Sequence, residues 1–379
     1  MNKTKIAFIA KTNLNNDGRI LNELKILKNK FHNKISIEFI LMPDSFSIQN
    51  IEGLDKLHII NTLIRNHTFT RWFTVIEFTF KALAKLFTIR PYLIHAHDTS
   101  IVLPVYIYKL LRYNKVKILY DDHELPNENE SIGTKIMQYF EKSLMKKADF
   151  VLFANEERQN YIEQNSNIRL NNYNYLLNLP YFEDEEYVNK ELSEVIKRIK
   201  DKKEKNFIQI IMHQGSIEEE RGREKLANFS KILPNNAKIL ILGITKDDFL
   251  DFISYYNLDK SKFIFIGSVP YSELRGYWEL ADASIVMYLP TYLNNRLCAP
   301  NRLYMSFNYN IPIIVNRDNP VLSNFILDHE CGFFIEDLTT EKDLNFIFKK
   351  QYTKKIIDKL KEEEIYKFEE IYKKNLPEI

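Results

Sequence analysis

Hydrophobic residues follow two patterns that alternate along this chain. Short continuous apolar runs predict strands that are buried on both faces, and a repeat of three to four positions predicts amphipathic helices between them. In the segment 19–31, for example, Ile20, Leu24 and Leu27 fall on one helical face. The first half therefore predicts strands at 6–10, 37–42, 57–60, 92–96, 116–120, 150–154 and 175–179, with helices at 19–31, 70–88, 101–113 and 134–147.

The alternation is interrupted at 181–206, where Glu, Lys and Asp dominate, and then starts again. Such a charged stretch is typical of a solvated connection between domains. We expect an N-terminal domain at 1–185, a linker and C-terminal domain at 186–352, and a closing helix in 353–379 that packs back on the N-terminal domain. The second half predicts strands at 207–212, 239–242, 263–266, 285–289, 311–315 and 333–335, with helices at 187–200, 221–232, 246–256, 272–280, 302–309, 320–328, 341–350 and 353–374.

The alternation as a whole predicts an α/β protein built from two doubly wound, Rossmann-like domains with parallel sheets. A length of 379 residues fits two hydrophobic cores better than one. Ligands bind such sheets at the carboxyl ends of the strands, so we expect the active site in a cleft between the two domains.

The composition excludes some function classes. With 45% hydrophobic residues the chain is not disordered, and a net charge of +2 gives no argument for a nucleic-acid partner. The two cysteines, Cys298 and Cys331, fit a reducing cytosol. No apolar run reaches the roughly 18 residues that a membrane-spanning helix needs. We therefore expect a cytoplasmic protein.

The placement of the glycines is informative because the chain has only nine. Gly215, Gly243 and Gly267 each fall at or just after the end of a predicted strand in the second half, where glycine allows the backbone to approach a ligand closely. The first strand-to-helix turn, 11–18, lacks the Gly-x-Gly-x-x-Gly pattern, which argues against an NAD-binding domain.

Two segments of the second half combine arginines with predicted helix starts. Arg221 and Arg223 follow the loop after Gly215, and Arg302 follows Pro300. Guanidinium groups match phosphate oxygens, and the dipole at a helix N-terminus adds to the attraction. The first loop alone could equally be a solvated Glu/Arg loop, but the two segments together favour a diphosphate site.

Several blocks resemble the GT-B glycosyltransferases, specifically those of family 4. In the second half these are MHQGSIEEERGREKL (212–226), FIFIGSVPYSELRGYWELADASIVMY (263–288) and APNRLYMSFNYNIPIIV (299–315). In the first half DGRILNEL (17–24), LIHAHD (93–98), ILYDDHEL (118–125) and ADFVLFANEE (148–157) are similar to the acceptor domain of one branch. The resemblance covers roughly the whole chain.

This resemblance implies a GT-B fold and retaining transfer of a sugar from a nucleotide diphosphate, UDP or GDP, without a bound metal or other cofactor. It implies backbone contacts to the diphosphate and the base, arginines on the phosphates, and polar side chains facing the sugar. The implied donor-binding residues are Gly215, Ser216, Arg221, Arg223, Val269, Asn301 and Arg302, the catalytic candidates are His97, Asp98, His123 and Glu124, and the acceptor-side residues are Asp17 and Arg19.

The chain departs from the family pattern at four positions. Ser216 stands where many members have Arg, and Met305 stands where the family usually has a Glu that binds ribose hydroxyls. Asn310 replaces the usual Gly, and the upstream acid of the family's Glu pair is missing near Leu297. Ribose recognition and donor identity are therefore open.

The polar cluster at 95–98 has three interpretations. His95 and His97 fall on the same side of an extended segment, which fits a metal site, structural hydrogen bonds or a substrate contact. No further ligand cluster is evident in the sequence, so we expect no metal there. Residues 121–124 follow a strand and fit either a general base or a plain polar loop.

The segment 63–92 is basic and aromatic. Arg65, Arg71, Lys81, Lys85 and Arg90 stand against Glu77 alone, interleaved with Phe and Trp. This composition fits a helix on an anionic membrane, and equally a core helix whose lysines reach solvent. No RNA- or DNA-binding motif supports a nucleic-acid partner.

Three functions remain in competition at this point. The first is a glycosyltransferase that uses a glycan or lipid-linked acceptor in surface polysaccharide biosynthesis, peripheral on the inner face of the cell membrane. The second is a sugar-nucleotide epimerase that uses Asp98, Asp121 and Glu124. The third is a non-catalytic GT-B subunit, suggested by Met305.

Overall fold

The computed structural model describes residues 3–43, 51, 53–63, 71–122, 125, 132–165, 168–170, 172–180, 190–348 and 354–377. The chain forms two compact units, Met1–Leu177 with Glu362–Ile379, and Asn178–Lys361. The expected boundary at 185–186 falls within 181–189, outside the described residues, and stays a prediction.

The first unit contains a seven-stranded sheet in the order β3-β2-β1-β4-β5-β6-β7, in which every pairing is parallel. Its two central strands are buried along most of their length, because helices cover both faces. The strands are β1 (Thr4–Thr12), β2 (Ile35–Pro43), β3 (Lys56–Ile59), β4 (Leu93–His97), β5 (Lys117–Asp122), β6 (Phe150–Phe153) and β7 (Tyr173–Tyr175).

The helices of the first unit follow the apolar repeats, with one addition. The sequence did not predict the helix at 156–165, because only Arg158 and Ile162 of its residues are buried and no apolar stripe marks it. The helices are α1 (Gly18–Phe31), α2 (Arg71–Ile89), α3 (Val102–Arg112), α4 (Ile132–Met145) and α5 (Glu156–Asn165), and Phe368 and Tyr372 of α14 (Lys354–Asn375) also belong to this unit.

The second unit contains a six-stranded sheet in the order β10-β9-β8-β11-β12-β13, again with parallel pairings. Its core is formed by apolar side chains of these strands and of the helices that cover them. The strands are β8 (Gln209–Gln214), β9 (Ala237–Leu242), β10 (Phe263–Gly267), β11 (Ala283–Val286), β12 (Ile313–Val315) and β13 (Gly332–Phe334). The helices are α6 (Lys190–Asn206), α7 (Arg223–Lys231), α8 (Lys246–Tyr255), α9 (Leu274–Trp278), α10 (Leu293–Arg296), α11 (Asn301–Asn308), α12 (Pro320–Asp328) and α13 (Glu341–Ile347).

The predicted fold class, two doubly wound Rossmann-like α/β domains, is confirmed. Many element boundaries differ from the prediction by a few residues, and two of these differences are instructive. Helix α6 continues to Asn206 because the Lys/Glu-rich stretch 201–206 favours helix, and β8 therefore begins at Gln209. The last strand of the first sheet is β7, and it precedes the apolar run at 175–179 that predicted it. None of the described helices combines the length and hydropathy needed to cross a bilayer.

Candidate functional site

Three glycines lie at the ends of neighbouring strands of the second sheet: Gly215 and Gly243 directly follow β8 and β9, and Gly267 is the last residue of β10. Gly215, Gly243 and Gly267 have φ angles of +104°, +90° and +94°, which favour glycine. Gly215 N donates to Leu242 O, and Gly243 N donates to Gly267 O, both at 2.8 Å. The three turns therefore lie side by side at the carboxyl ends of neighbouring strands, where ligands of such sheets bind.

The turn at Gly215 is packed closely on both sides. A Cβ atom on Gly243 would lie 3.1 Å from Gly215 N, and one on Gly215 would lie 2.9 Å from Arg302 Nη1. Both positions therefore leave little room for a side chain, and both have backbone angles that favour glycine. This arrangement brings the loop after β8 against the start of α11.

Arg302 lies in the first turn of α11 and is almost fully buried. Its Nη1 donates to Gln214 O, and its Nη2 lies 3.5 Å from Met287 O. Its Nε atom is buried and has no hydrogen-bond partner among the described residues. An unsatisfied buried donor on a guanidinium is costly, so an anionic ligand atom would be favourable here.

A second arginine meets Arg302 at a shared aromatic ring. The guanidinium carbon of Arg221 lies 3.6 Å from the centroid of the Tyr288 ring, and that of Arg302 lies 4.8 Å from it. Arg221 Nη1 also donates to Asn295 Oδ1 at 2.8 Å. Cation–π contacts of this kind hold a guanidinium in place while leaving its other N–H groups available. The structure therefore concentrates two positive charges around one half-buried tyrosine.

His213 shows how strongly this region disfavours an additional positive charge. Burial and, secondarily, the charge of Arg302 lower the pKa of His213 to about 3. The imidazole is therefore neutral near neutral pH, and its Nε2 lies 3.4 Å from Ser216 O. Burial likewise raises the pKa of Tyr288, so its phenol stays protonated.

The other predicted donor residues lie in the loop after β8, in the turn after β10 and at the start of α11. Ser216 Oγ lies 3.5 Å from Glu218 Oε2, and Val269 is half-buried in the turn after Gly267. Asn301 Nδ2 donates to Tyr271 OH at 3.4 Å, and its buried Oδ1 has no hydrogen-bond partner among the described residues.

Arg223 does not join the pair at Tyr288. Its Nη2 lies 2.5 Å from Asp251 Oδ2, and its guanidinium lies 5.4 Å from the Tyr255 ring. Both contacts are with α8. The structure therefore brings Arg221 and Arg302 together, whereas the side chain of Arg223 is held against α8.

The structure shows where three of the residues that depart from the family pattern lie. Met305 is fully buried in α11 and offers a thioether where a carboxylate was expected. Asn310 has φ +55°, a left-handed conformation that Asn tolerates better than most residues, which explains how it can replace glycine after the helix. Leu297 follows the short helix α10.

In the first unit, the two predicted acceptor-side residues, Asp17 and Arg19, make different kinds of contact. Asp17 caps α1, because its Oδ1 accepts from Ile20 N at 3.2 Å. Arg19 is buried, and its Nε and Nη2 donate to the two carboxylate oxygens of Asp121 at 2.6 and 2.8 Å. Burial opposes the charge of Arg19, but attraction and hydrogen bonding from Asp121 raise its pKa above the ordinary value.

The two histidines of β4 lie in the same buried network. Their rings stack with centroids 4.3 Å apart, and their Nε2 atoms lie 3.7 Å (His95) and 3.8 Å (His97) from Glu23 Oε2. His95 Nδ1 lies 2.7 Å from Tyr372 OH, and His97 Nδ1 lies 3.3 Å from Asp121 Oδ2. His97 therefore belongs to a buried polar network of the first unit.

These residues are also the described group that could hold a cation. Glu23, His95, His97 and Asp121 each offer a ligand atom, and these atoms lie within 4.8 Å of one another. The guanidinium of Arg19 already binds both oxygens of Asp121, so a metal ion at that carboxylate would meet a like charge. The sequence did not link Glu23 to this network, although its position four residues after Arg19 on α1 was a usable signal.

Asp98 has the most unusual backbone at the end of β4. Its φ and ψ angles of 63° and 169° are rare for any residue other than glycine, and its N–H donates to Asp121 O at 3.0 Å. Strain of this kind is often found at functional sites. His123 and Glu124 lie outside the described residues.

Solved structures share this architecture over the whole chain. Sucrose-phosphate synthase from Thermosynechococcus elongatus is 14% identical, with 98% of this chain and 99% of that chain covered and a TM-score of 0.70. Anabaena Alr3699/HepE in complex with UDP and glucose is 11% identical, with 99% and 100% covered and a TM-score of 0.66. The UDP-GlcNAc 2-epimerase from Methanocaldococcus jannaschii is 12% identical, with 92% and 94% covered and a TM-score of 0.61.

No protein-family model matches the chain, and no curated protein sequence matches it. The similarity to the solved structures, together with the seven- and six-stranded parallel sheets, shows that the chain has the GT-B fold.

Proposed function

We propose that the protein is a glycosyltransferase that moves a sugar from a nucleotide diphosphate sugar to a glycan or lipid-linked acceptor. One observation carries this proposal. Arg221 and Arg302 lie against the Tyr288 ring, beside the glycine turn that follows β8. A pair of held guanidinium groups next to a close backbone approach suits a diphosphate.

The chemistry of transfer explains why two arginines would be useful. Negative charge grows on the diphosphate as the bond to the sugar breaks, and cations placed there stabilise the transition state. The buried Nε of Arg302 is a donor that a phosphate oxygen would satisfy. The neutral His213 beside Arg302 adds no competing charge.

The nucleoside would be held mainly by backbone and neutral groups. We expect the turn at Val269 to contact the base and Asn301 to contribute its Oδ1 atom. Met305 provides no carboxylate for the ribose hydroxyls, so we expect weaker ribose recognition than in family members with a Glu. A UDP donor is supported by the shared fold of Alr3699/HepE, which was solved with UDP and glucose.

The finer parts of the proposal rest on the family resemblance. They are transfer with retention of configuration, a hexose-type sugar, surface polysaccharide as the product, no metal requirement, and a cytoplasmic site at the inner face of the membrane. His97, Asp98, His123 and Glu124 stay predicted as the residues that face the transferred sugar.

A second candidate is a sugar-nucleotide epimerase, because the M. jannaschii 2-epimerase has the same fold. That reaction needs acid and base groups around the sugar. Both oxygens of Asp121 already accept hydrogen bonds from Arg19, which makes this carboxylate a poor base, so Asp98 would have to carry more of the chemistry. A non-catalytic GT-B subunit is the third candidate, suggested by Met305.

Incubation with UDP- and GDP-linked sugars labelled in the sugar separates the three candidates. A glycosyltransferase should hydrolyse its donor slowly without acceptor, and Arg221→Ala should reduce that rate at least tenfold. Arg198→Ala, an exposed arginine of α6, is the matched control and should keep the wild-type rate. A new nucleotide-sugar isomer would indicate an epimerase, and no turnover with any donor would contradict the enzymatic proposal.

A further inference from the structure

The first unit carries an apolar surface that the proposed transfer reaction does not use. We infer that this surface docks the protein on an anionic lipid membrane. It consists of an aromatic stripe on α2 and an apolar stripe on α4, here called the aromatic face. Its members are Trp72, Phe73, Ile76, Phe80 and Phe87 of α2, and Ile132, Ile136 and Tyr139 of α4.

Helix α2 is apolar on two opposite sides. Phe78, Ala82 and Leu86 are buried in the core of the unit. Phe73 and Phe80, in contrast, expose 65% and 69% of their surface and fall on one stripe at helical spacing. The outer stripe therefore has no packing role within the unit, and aromatic side chains of this size are rarely left in water without a function.

Helix α4 extends the same surface. Ile132 and Tyr139 expose 80% and 69% of their surface, and Ile136 lies between them on the same helical stripe. The two helices touch at their N-terminal ends, because a Cβ atom on Gly133 would lie 2.9 Å from the Trp72 ring. The stripes of α2 and α4 thus meet at the N-terminal ends of the two helices, and α3 packs against both of them, so the aromatic face is wider than the segment 63–92 that the sequence singled out. Residues 64–70 of that segment lie outside the described residues.

The exposed charges of these helices are almost all positive. The acidic residues on the two helices are Glu77, which pairs with Lys81, and Glu141, which is buried against Thr99 and Tyr120. The exposed basic residues of the described helices and their ends are Lys81, Lys85 and Arg90 beside α2, and Lys135, Lys142, Lys146 and Lys147 beside α4.

This combination decides between a membrane and a protein partner. Lysine and arginine attract anionic headgroups, while Trp, Phe and Ile insert at the boundary between headgroups and acyl chains. A surface for a second copy of the chain would place these like charges opposite one another. The charge pattern therefore favours anionic lipid.

Vesicle flotation tests this directly with the full-length protein. Wild-type protein should float with vesicles of phosphatidylcholine and phosphatidylglycerol and bind pure phosphatidylcholine at least tenfold more weakly. Phe73→Ser/Phe80→Ser and Lys135→Glu/Lys142→Glu should each reduce binding to the anionic vesicles at least tenfold. Phe346→Ser, which removes an exposed phenylalanine of the second unit, is the matched control and should bind as wild type does.

The two tryptophans provide a second readout that does not depend on a variant folding. Trp72 lies on the aromatic face, whereas Trp278 is buried in the second unit. Brominated anionic lipid should quench part of the wild-type emission, the part that Trp72 contributes. Failure to float with anionic vesicles, flotation unchanged by both double variants, or absence of quenching would overturn the inference. Light scattering that shows a dimer dispersed by Phe73→Ser/Phe80→Ser, without vesicle binding, would overturn it in favour of self-association.

Discussion

Arg302 fills the space that a side chain at Gly215 would need, because a Cβ atom there would lie 2.9 Å from Arg302 Nη1. The loop after β8 and the start of α11 are therefore fitted to each other at the point where the family resemblance places the donor diphosphate. A side chain added at Gly215 would have to displace the Arg302 guanidinium, so the pair is a sensitive place to test the proposed site.

Gly215→Ala should destabilise the protein more than Gly267→Ala. The φ angle is +104° at Gly215 and +94° at Gly267, so both variants carry backbone strain. Only Gly215 also meets a clash, since the nearest atom to a Cβ on Gly267 lies at 3.7 Å. To relieve the clash, the Arg302 guanidinium would have to move away from Gln214 O, and loss of that hydrogen bond should add about 0.5–1.5 kcal/mol to the loss of unfolding free energy, measured by urea denaturation. Equal losses in the two variants would contradict the close fit to Arg302.

Arg221→Ala should weaken binding of a nucleoside diphosphate much more than binding of the nucleoside. Loss of a charged hydrogen bond to phosphate should cost about 1.5–3 kcal/mol, which is roughly tenfold or more in affinity. Isothermal titration calorimetry with UDP and uridine, or GDP and guanosine, measures both. Similar losses for the diphosphate and the nucleoside would remove Arg221 from the phosphates, and Arg198→Ala should change neither.

His213 predicts a specific dependence of stability on pH. Its pKa is about 3 in the folded protein and near 6.5 when unfolded, so the unfolded chain binds the additional proton between these values. The free energy of unfolding should therefore fall as the pH is lowered from about 6.5 towards about 3, by up to about 1.4 kcal/mol per pH unit from this group alone. His213→Gln removes the titrating group, so its stability should fall less steeply over that range. Parallel curves for the two proteins would contradict this role of His213.

Replacing Asp98 with glycine should make the protein more stable but should remove its activity. Asp98→Gly releases a backbone conformation that costs a residue with a side chain about 1–3 kcal/mol, whereas Asp98→Asn removes the charge and keeps the strain. We expect the Gly variant to be about 1 kcal/mol more stable than the Asn variant, and both to lose sugar transfer. A Gly variant no more stable than the Asn variant would show that Asp98 is not strained, and full activity in both would remove Asp98 from the catalytic candidates.

Much of the fold could be predicted from the sequence, because buried parallel strands are continuous apolar runs. Strands such as β1 and β9 contain such runs. Helix α5 could not be predicted because its buried face is formed by Arg158 and a single isoleucine rather than an apolar stripe. The exposed stripe of α4 was also missed, because an apolar repeat looks the same whether it faces the core or solvent.

The candidate site was predictable where local chemistry determines it and not where tertiary contacts do. Glycines at strand ends and Arg302 at a helix start are visible in the sequence. The shared ring of Tyr288 lies 67 positions beyond Arg221, and nothing in the local sequence links the two. For the same reason the sequence grouped Arg223 with Arg221, although Asp251 on α8 holds Arg223 in an ion pair.

A thermal-shift screen of UDP, GDP, CMP and ADP against the wild type and Arg302→Gln tests the central claim most directly. A ligand that binds only the folded state stabilises it, and at 100 times its Kd the gain is about 2.7 kcal/mol. We predict that UDP or GDP raises the Tm of the wild-type protein and that Arg302→Gln, at the same concentration, loses most of that rise. No shift with any nucleotide, or an equal shift in both proteins, would contradict a donor site built around Arg302.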